Sequence, residues 1–226
     1  MKVTLIGATA SFIPGVDSND LVAYCARVSN PDNQMNMQTS EKLLAYLLQH
    51  KHVSPYEMVN VLMEIETTRD IARQILRHRS FAFQEFSQRY AVATNFEHRE
   101  ARLQDKKNRQ NSIELGVDGF VTDREQFLAD EWAEKQDKLL AQVKQTYDWA
   151  LGEGIAKEQA RAILPEGMTL SRMYMNGTLR SWIHYCALRT GPETQKEHRE
   201  VAEACWANIL VNYPVLRHLD LAGVRG

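Results

Sequence analysis

The sequence lacks the features that mark secreted, membrane-spanning and nucleic-acid-coating proteins. Its three cysteines, Cys25, Cys186 and Cys205, are too few and too widely spaced for a disulfide framework. No Cys-x-x-Cys pair occurs, so the three read as free thiols of a reducing cytoplasm and not as zinc ligands. No apolar run approaches the roughly 20 residues that a membrane helix needs. An excess of one charge is also missing: 27 Lys and Arg stand against 29 Asp and Glu, a net −2. A nucleic-acid partner would call for a basic excess, whereas a small anion needs only a few local arginines. There is no Gly-x-Gly-x-x-Gly after an early strand, no P-loop and no Gly-x-Ser-x-Gly elbow. His50 and His52 have no further metal-ligand partners in sequence, and no metal is expected.

What is present suits an ordinary folded domain. The chain has 226 residues, 44% hydrophobic and 25% charged, without repeats, low-complexity tracts or linkers. Residues 2–9 read as a strand. Their Ala8-Thr9-Ala10 ending mimics a signal-peptide cleavage site, but Thr4 and Gly7 interrupt the apolar stretch. Helices are expected at 17–28 and 39–50, with a turn at Ser29-Asn30-Pro31-Asp32-Asn33 between them. Val59 to Ile65 has the content of a buried strand. Thr67-Thr68-Arg69-Asp70 has capping-box-like spacing and predicts a helix to about Leu76 or Arg77. Its apolar stripe is Ile71, Ala72, Ile75 and Leu76, while Gln74 and Arg77 share another face.

Residues 95–121 are polar, mixed in charge and read as a variable surface excursion. Thr122-x-x-Glu125 opens a long helix to about Leu151, with Trp132, Leu139, Leu140, Val143 and Tyr147 predicted toward the core. A short helix at 155–163 precedes Pro165, and residues 168–176 read as a strand. Thr178 caps a helix to Leu188, burying Leu179, Trp182, Ile183 and Cys186, with Arg180 and His184 together on another face. Thr190-x-x-Glu193 with Pro192 predicts the start of a last helix to about Asn212. A single α+β domain over 1–226 is the simplest parse.

The densest polar cluster is Arg77-His78-Arg79-Ser80-Phe81-Ala82-Phe83-Gln84-Glu85-Phe86-Ser87-Gln88-Arg89-Tyr90. Paired cations at Arg77 and Arg79 repel one another in a core and are comfortable only in water or facing anions. A solvated helix end is the plainer reading. Against it, Phe81, Phe83 and Phe86 would hold the segment on a core. Its mixture of cations, carboxylate and hydroxyl is also what a nucleotide requires.

Arg77-His78-Arg79, seven residues and then Ser87 resembles the RHR-x7-S signature of the flavin-dependent thymidylate synthases, with Glu85, Arg89 and Tyr90 of the wider pattern in place. Ala26-Arg27-Val28-Ser29, His52-Val53-Ser54-Pro55-Tyr56-Glu57, Arg161 to Pro165, and Arg180 with Leu188-Arg189 resemble further segments of that family. Gln84, Ala82, Met58 and Thr178 depart from it, and either Asn176 or Thr178 stands in for a family Asn.

The resemblance implies a central, mostly antiparallel sheet flanked by helices. It also implies reductive methylation of dUMP to dTMP, with FAD as cofactor and NADPH and methylenetetrahydrofolate as co-substrates. It assigns Arg189 and Ser87 as catalytic. For dUMP it assigns Gln74, Arg77, Glu85, Ser87, Gln88, Arg89, Arg161 and Arg189. For FAD it assigns Ser29, Ser54, Glu57, His78, Arg79, Gln84, Glu85, Arg180 and His184. It further implies a cytoplasmic homotetramer with shared active sites and no covalent cysteine adduct. Another flavin-dependent uracil-methylating enzyme, or a non-enzymatic nucleotide- or RNA-binding module, would use the same residue types.

Overall fold

The computed structural model describes residues 1–93 and 95–224. In chain order its elements are β1 (Lys2–Ala8), α1 (Ser18–Ala26), α2 (Ser40–Gln49), a 3₁₀ turn (Ser54–Met58), β2 (Asn60–Thr68), α3 (Arg69–Ile75) and β3 (Ala82–Glu85). There follow β4 (Arg102–Gln104), β5 (Ser112–Glu114), α4 (Asp123–Gly152), α5 (Lys157–Ala160), β6 (Leu170–Thr178), α6 (Leu179–Arg189), α7 (Lys196–Asn212) and a terminal turn, α8 (Leu221–Val224).

The main sheet has the order β1-β2-β6-β3, and all its pairings are antiparallel. This is the expected α+β architecture with flanking helices. Alternation decides which side is inside: Val61, Met63 and Ile65 of β2 and Met173, Met175 and Gly177 of β6 are buried, while Glu64, Glu66, Arg172 and Tyr174 face the other way. The buried face lies under α6 and α7, whose Trp182, Ile183, Tyr185, Cys186, Val201, Cys205 and Ile209 complete the core with α1 and α2. Trp182 Nε1 donates to the carbonyl of Val61 at 3.0 Å, which satisfies the indole that burial would otherwise orphan.

Gly177 is required by a close approach. A Cβ there would lie 2.4 Å from Cδ1 of Phe81, whose ring packs edge-on against Trp182 at 4.9 Å. Phe81 and Phe83 of the arginine-rich segment therefore anchor it to the core, whereas Phe86 is not among the residues packed on it.

Several local expectations are corrected. Residues 82–85 form a fourth strand, too short for a periodic signal, along β6. Thr67 and Asp70 make no capping box. The N-cap of α3 is Thr68, whose hydroxyl donates to the Asp70 carboxylate, and the first N–H groups of α3 bond instead to the carbonyls of Thr169 and Glu166. Helix α7 starts at Lys196, not at Pro192: Thr190 caps the end of α6, and its hydroxyl donates to the carbonyl of Cys186 at 2.8 Å. On α4, Tyr147 is buried in a second small core with Ala150, Ala160 and Leu164, but Trp132 and Leu139 are 43% and 49% exposed. The helical period marked a stripe that this chain alone covers only at its C-terminal end. The capping box of Thr122 and Glu125 forms as expected.

The segment 95–121 contains the hairpin β4–β5. It is tied down by charge: Arg102 bonds the Glu197 carboxylate, and Arg99 reaches Glu197 at 3.3 Å and Asp70 at 2.6 Å.

Candidate active site

The arginine-rich segment runs from the end of α3, through a turn at 77–81, into β3 and a second turn at 86–91. It thereby passes along one edge of the sheet and delivers its side chains to four clusters.

The first cluster lies where α3, α6 and α7 meet. Nε of Arg189, in the last turn of α6, donates to Nε2 of His78 at 2.9 Å. The His78 ring stands edge-on to Tyr185 at 4.9 Å. Burial first, and then the Arg189 and His184 charges, lower the His78 pKa to about 4. His78 is thus neutral near pH 7, with Nε2 accepting and its proton on Nδ1. Gln74 sits beside this pair and is held by Gln195 at 2.8 Å.

The second cluster is built on Glu85. Its carboxylate accepts from Ser171 at 3.0 Å and from Arg73 at 2.9 Å, with Arg69 at 3.5 Å. Arg69 and Arg73 also face Glu166, at 3.1 and 3.7 Å. Glu85 is therefore a held carboxylate with about one acceptor position left for a ligand.

The third cluster is the turn after β3. Ser87 is half-buried, and its Oγ accepts from the Arg89 N–H at 3.4 Å. Arg89 pairs with Glu158 of α5 at 3.4 Å, which brings the end of the segment to the element preceding Arg161. Gln88 is buried, and among the described residues its Nε2 has no hydrogen-bond partner. A buried amide donor without an acceptor is costly, and a ligand oxygen would satisfy it.

The fourth is a cleft of about 510 Å³ lined by Val53, Glu57, Ser80, Thr178, Arg180 and His184, among others. Arg180 and Glu57 are hydrogen-bonded across it. Ser181 donates to the carbonyl of Ser80 at 3.4 Å, joining the Arg79 turn to α6. A cation, a carboxylate, hydroxyls, an imidazole and an apolar wall form a donor set that fits a phosphate-bearing dinucleotide such as FAD.

The structure thus brings together Gln74, His78 and Arg189 in one place, Glu57, Arg180 and His184 in another, and Ser87, Gln88 and Arg89 in a third. Ser54 begins the turn that carries Glu57. Ser29 lies in an exposed turn after α1, outside the cleft lining, and Gln84 is exposed on β3. Of the two alternatives near 177, Thr178 lines the cleft and Asn176 does not. Among the described residues Arg77, Arg79 and Arg161 form no ion pair, while Arg69, Arg73, Arg99 and Arg102 are all bound to carboxylates. No hydrogen bond or ion pair among the described residues connects Arg89 or Arg161 to Arg189.

Sequence reasoning missed Tyr185, His198 and Gln195, which sit directly behind Gln74 and His78. The only hint was a histidine inside a helix face that otherwise buries Val201, Ala202 and Cys205. Arg73 counts among the positives of the arginine-rich region in sequence, but neither it nor Arg69 could be given its partners there, Glu85 and Glu166. Groups of three or more His, Cys, Asp or Glu able to hold a metal ion are absent among the described residues. No helix of the described residues is long and apolar enough to cross a membrane.

Comparison with known proteins shows the family. The Thy1 family model, described as thymidylate synthase complementing protein, matches residues 12–215. The chain is 47% identical over 223 residues to a probable flavin-dependent thymidylate synthase of Paramecium bursaria Chlorella virus 1, covering 97% of this chain and 99% of that one. It is 49% identical over 196 residues to the flavin-dependent thymidylate synthase of Synechocystis sp., covering 87% and 86% of the two chains. Among solved structures, a UMP/dUMP methylase from Streptomyces cacaoi bound with 5-Br dUMP shares the fold, with a TM-score of 0.74 at 22% identity over 98% of this chain and 96% of that one. This chain belongs to the Thy1 family of thymidylate synthase complementing proteins.

Proposed function

We propose that this protein is a flavin-dependent thymidylate synthase. It converts dUMP to dTMP, taking the carbon from methylenetetrahydrofolate and the reducing equivalents from NADPH through FAD. The observation that carries this reading is the Arg189–His78 hydrogen bond. It joins the arginine-rich segment to α6 and leaves a guanidinium with its remaining donors beside a neutral imidazole. When bound, FAD supplies the hydride chemistry.

The chain's own residues bind and orient. Arg77, Arg89 and Arg161 meet the dUMP phosphate through charge-assisted hydrogen bonds; among the described residues Arg77 and Arg161 have no carboxylate to displace, and Arg89 pairs with the exposed Glu158. Arg189 faces the uracil carbonyl where negative charge develops. Gln74, Gln88 and the remaining lone pair of Glu85 read polar edges of the nucleotide. Ser87 lies near the carbon to be methylated as a binder or polariser. Glu57, Arg180 and His184, with Ser54, His78, Arg79, Gln84, Glu85 and Ser29, hold FAD.

A covalent cysteine route is disfavoured on chemical grounds. Burial pushes the thiol pKa of all three cysteines upward, furthest for Cys186 and Cys205, so none is an activated thiolate. We further propose a cytoplasmic homotetramer with sites completed by neighbouring subunits. Two observations support it: among the described residues no hydrogen bond or ion pair joins Arg89 or Arg161 to Arg189, and α4 exposes Phe127, Leu128, Trp132, Leu139 and Trp149.

The purified protein is expected to show a flavin band that bleaches when NADPH is added without oxygen. Supplying dUMP and methylenetetrahydrofolate should then produce dTMP. Absence of a flavin band even after adding FAD would overturn the reading. A reducible flavin with no dTMP would point to a different uracil substrate.

A further inference from the structure

Behind Gln74 runs a chain of hydrogen bonds in which every donor can be assigned from one end. The anchor is Glu197, whose carboxylate is bound by Arg102 and approached by Arg99 at 3.3 Å. A carboxylate only accepts, so the contact from Gln195 at 2.9 Å must come from its Nε2. Oε1 of Gln195 is then the acceptor for Nε2 of Gln74 at 2.8 Å. That leaves Oε1 of Gln74 to accept from Nδ1 of His198 at 3.2 Å. Nε2 of His198 therefore carries the lone pair and accepts the hydroxyl proton of Tyr185 at 3.2 Å. His198 and Tyr185 are fully buried. The Tyr185 ring also supports His78.

We infer that His198 is a positioning residue for the nucleotide substrate: through its Nδ1–H it fixes the carboxamide of Gln74 so that an N–H, and not the oxygen, is presented to the substrate's anionic or carbonyl oxygens. This rests on the proposed placement of Gln74 in the dUMP site. Without the His198 donor, the Gln74 oxygen loses its partner and only the single bond to Gln195 opposes the amide's turning over, which would offer oxygen to an anion and reverse the interaction. The same chain explains why the hairpin β4–β5 is held by Arg99 and Arg102. Against the burial that raises it, the hydrogen bonds from Arg102, its own backbone N–H and Gln195 hold the Glu197 carboxyl below its ordinary pKa, and the ionised Glu197 sets the direction of the bonds to Gln195 and Gln74.

The test is a double-mutant cycle on the flavin-loaded protein, reading the dUMP dissociation constant by calorimetry and KM against kcat. His198→Leu is expected to weaken dUMP about tenfold, the worth of one misplaced donor, while kcat at saturating dUMP and the flavin absorbance stay near wild type. In a Gln74→Ala background the same substitution should add no more than about twofold, because the group it positions is gone. His198→Asn, whose amide nitrogen can stand in for Nδ1, should recover most of the affinity. A tenfold effect of His198→Leu that persists in Gln74→Ala would overturn the inference, as would a loss confined to FAD. If His198→Leu does not accumulate as folded protein, Tyr185→Phe, which deletes only the hydroxyl, carries the same cycle with the same requirement of non-additivity. Wild-type protein that neither binds nor turns over dUMP would overturn the function reading and this inference together. Additive variants of an active wild type would overturn this inference alone.

Discussion

Replacing Arg189 by alanine removes two interactions at once, and the geometry separates them. One is the hydrogen bond from Nε to His78 at 2.9 Å, a part-buried, charge-assisted contact worth about 1.5–3 kcal/mol. The other is the guanidinium charge that would stabilise the developing uracil oxyanion; losing such a donor costs about 2.7–4 kcal/mol, or 10²–10³ in kcat. Turnover should therefore fall by at least about a hundredfold while flavin stays bound, because the cleft lined by Glu57, Arg180 and His184 does not include Arg189. The His78 pKa should rise from about 4 but stay below 6.5, since burial is its main cause and Arg189 the second. Single-turnover dTMP formation, the flavin absorbance and an NMR titration of the His78 ring read these three effects separately. Arg189→Lys keeps the charge but not the planar fork, and should recover only part of the rate. The reasoning is refuted if Arg189→Ala keeps wild-type kcat, or if the titration of His78 does not move.

Three further outcomes follow from the packing. Gly177→Ala sets a methyl 2.4 Å from the Phe81 ring and should cost about 1–3 kcal/mol in urea unfolding; an unchanged midpoint would contradict the close approach. Cys25→Ala, Cys186→Ala and Cys205→Ala should each retain the chemistry, with the two buried sites losing about 1 kcal/mol of stability; an inactive but folded variant would revive a covalent route. Burial, with the Arg189 and His78 charges, holds the His198 pKa at about 3, so the unfolded chain takes up a proton that the fold refuses. Stability is then full above pH 6.5 and falls as pH drops toward 3, at up to about 1.4 kcal/mol per pH unit, with His78 adding in the same direction down to about 4. Denaturation midpoints at pH 7.5 and 5 in wild type and His198→Leu measure this, and equal slopes would refute it.

Features set by near neighbours were legible in the chain itself. Thr122 and Glu125 are three residues apart, and their capping box forms because both partners sit in one helical turn. Alternation in Asn60–Thr68 and in Leu170–Thr178 fixed which residues enter the core, because successive side chains of a strand face opposite ways. The spacing Arg77-x-Arg79 with Ser87, and Arg180 with His184, marked the segments that line the candidate sites. Local pattern failed where another group won the same atom, one turn back in the helix or far along the chain. The Thr190 hydroxyl went to Cys186 and not to a helix start. Thr68 and Asp70 were taken by Arg99. Trp132 and Leu139 carry a helical stripe that stays 43% and 49% exposed.

By itself, then, the sequence determined most of the helices, the core faces of β2 and β6 and the candidate arginine-rich segment, all consequences of contacts within a few residues. Only the tertiary structure decided which arginines are bound to carboxylates, that His78 is neutral beside Arg189, and that His198 stands behind Gln74. Those facts depend on partners 111 and 124 residues apart in the chain. No periodicity records such a distance. Burial and the choice of hydrogen-bond partner are properties of the packed molecule, settled when α3, α6 and α7 close over the sheet and exclude water from between them.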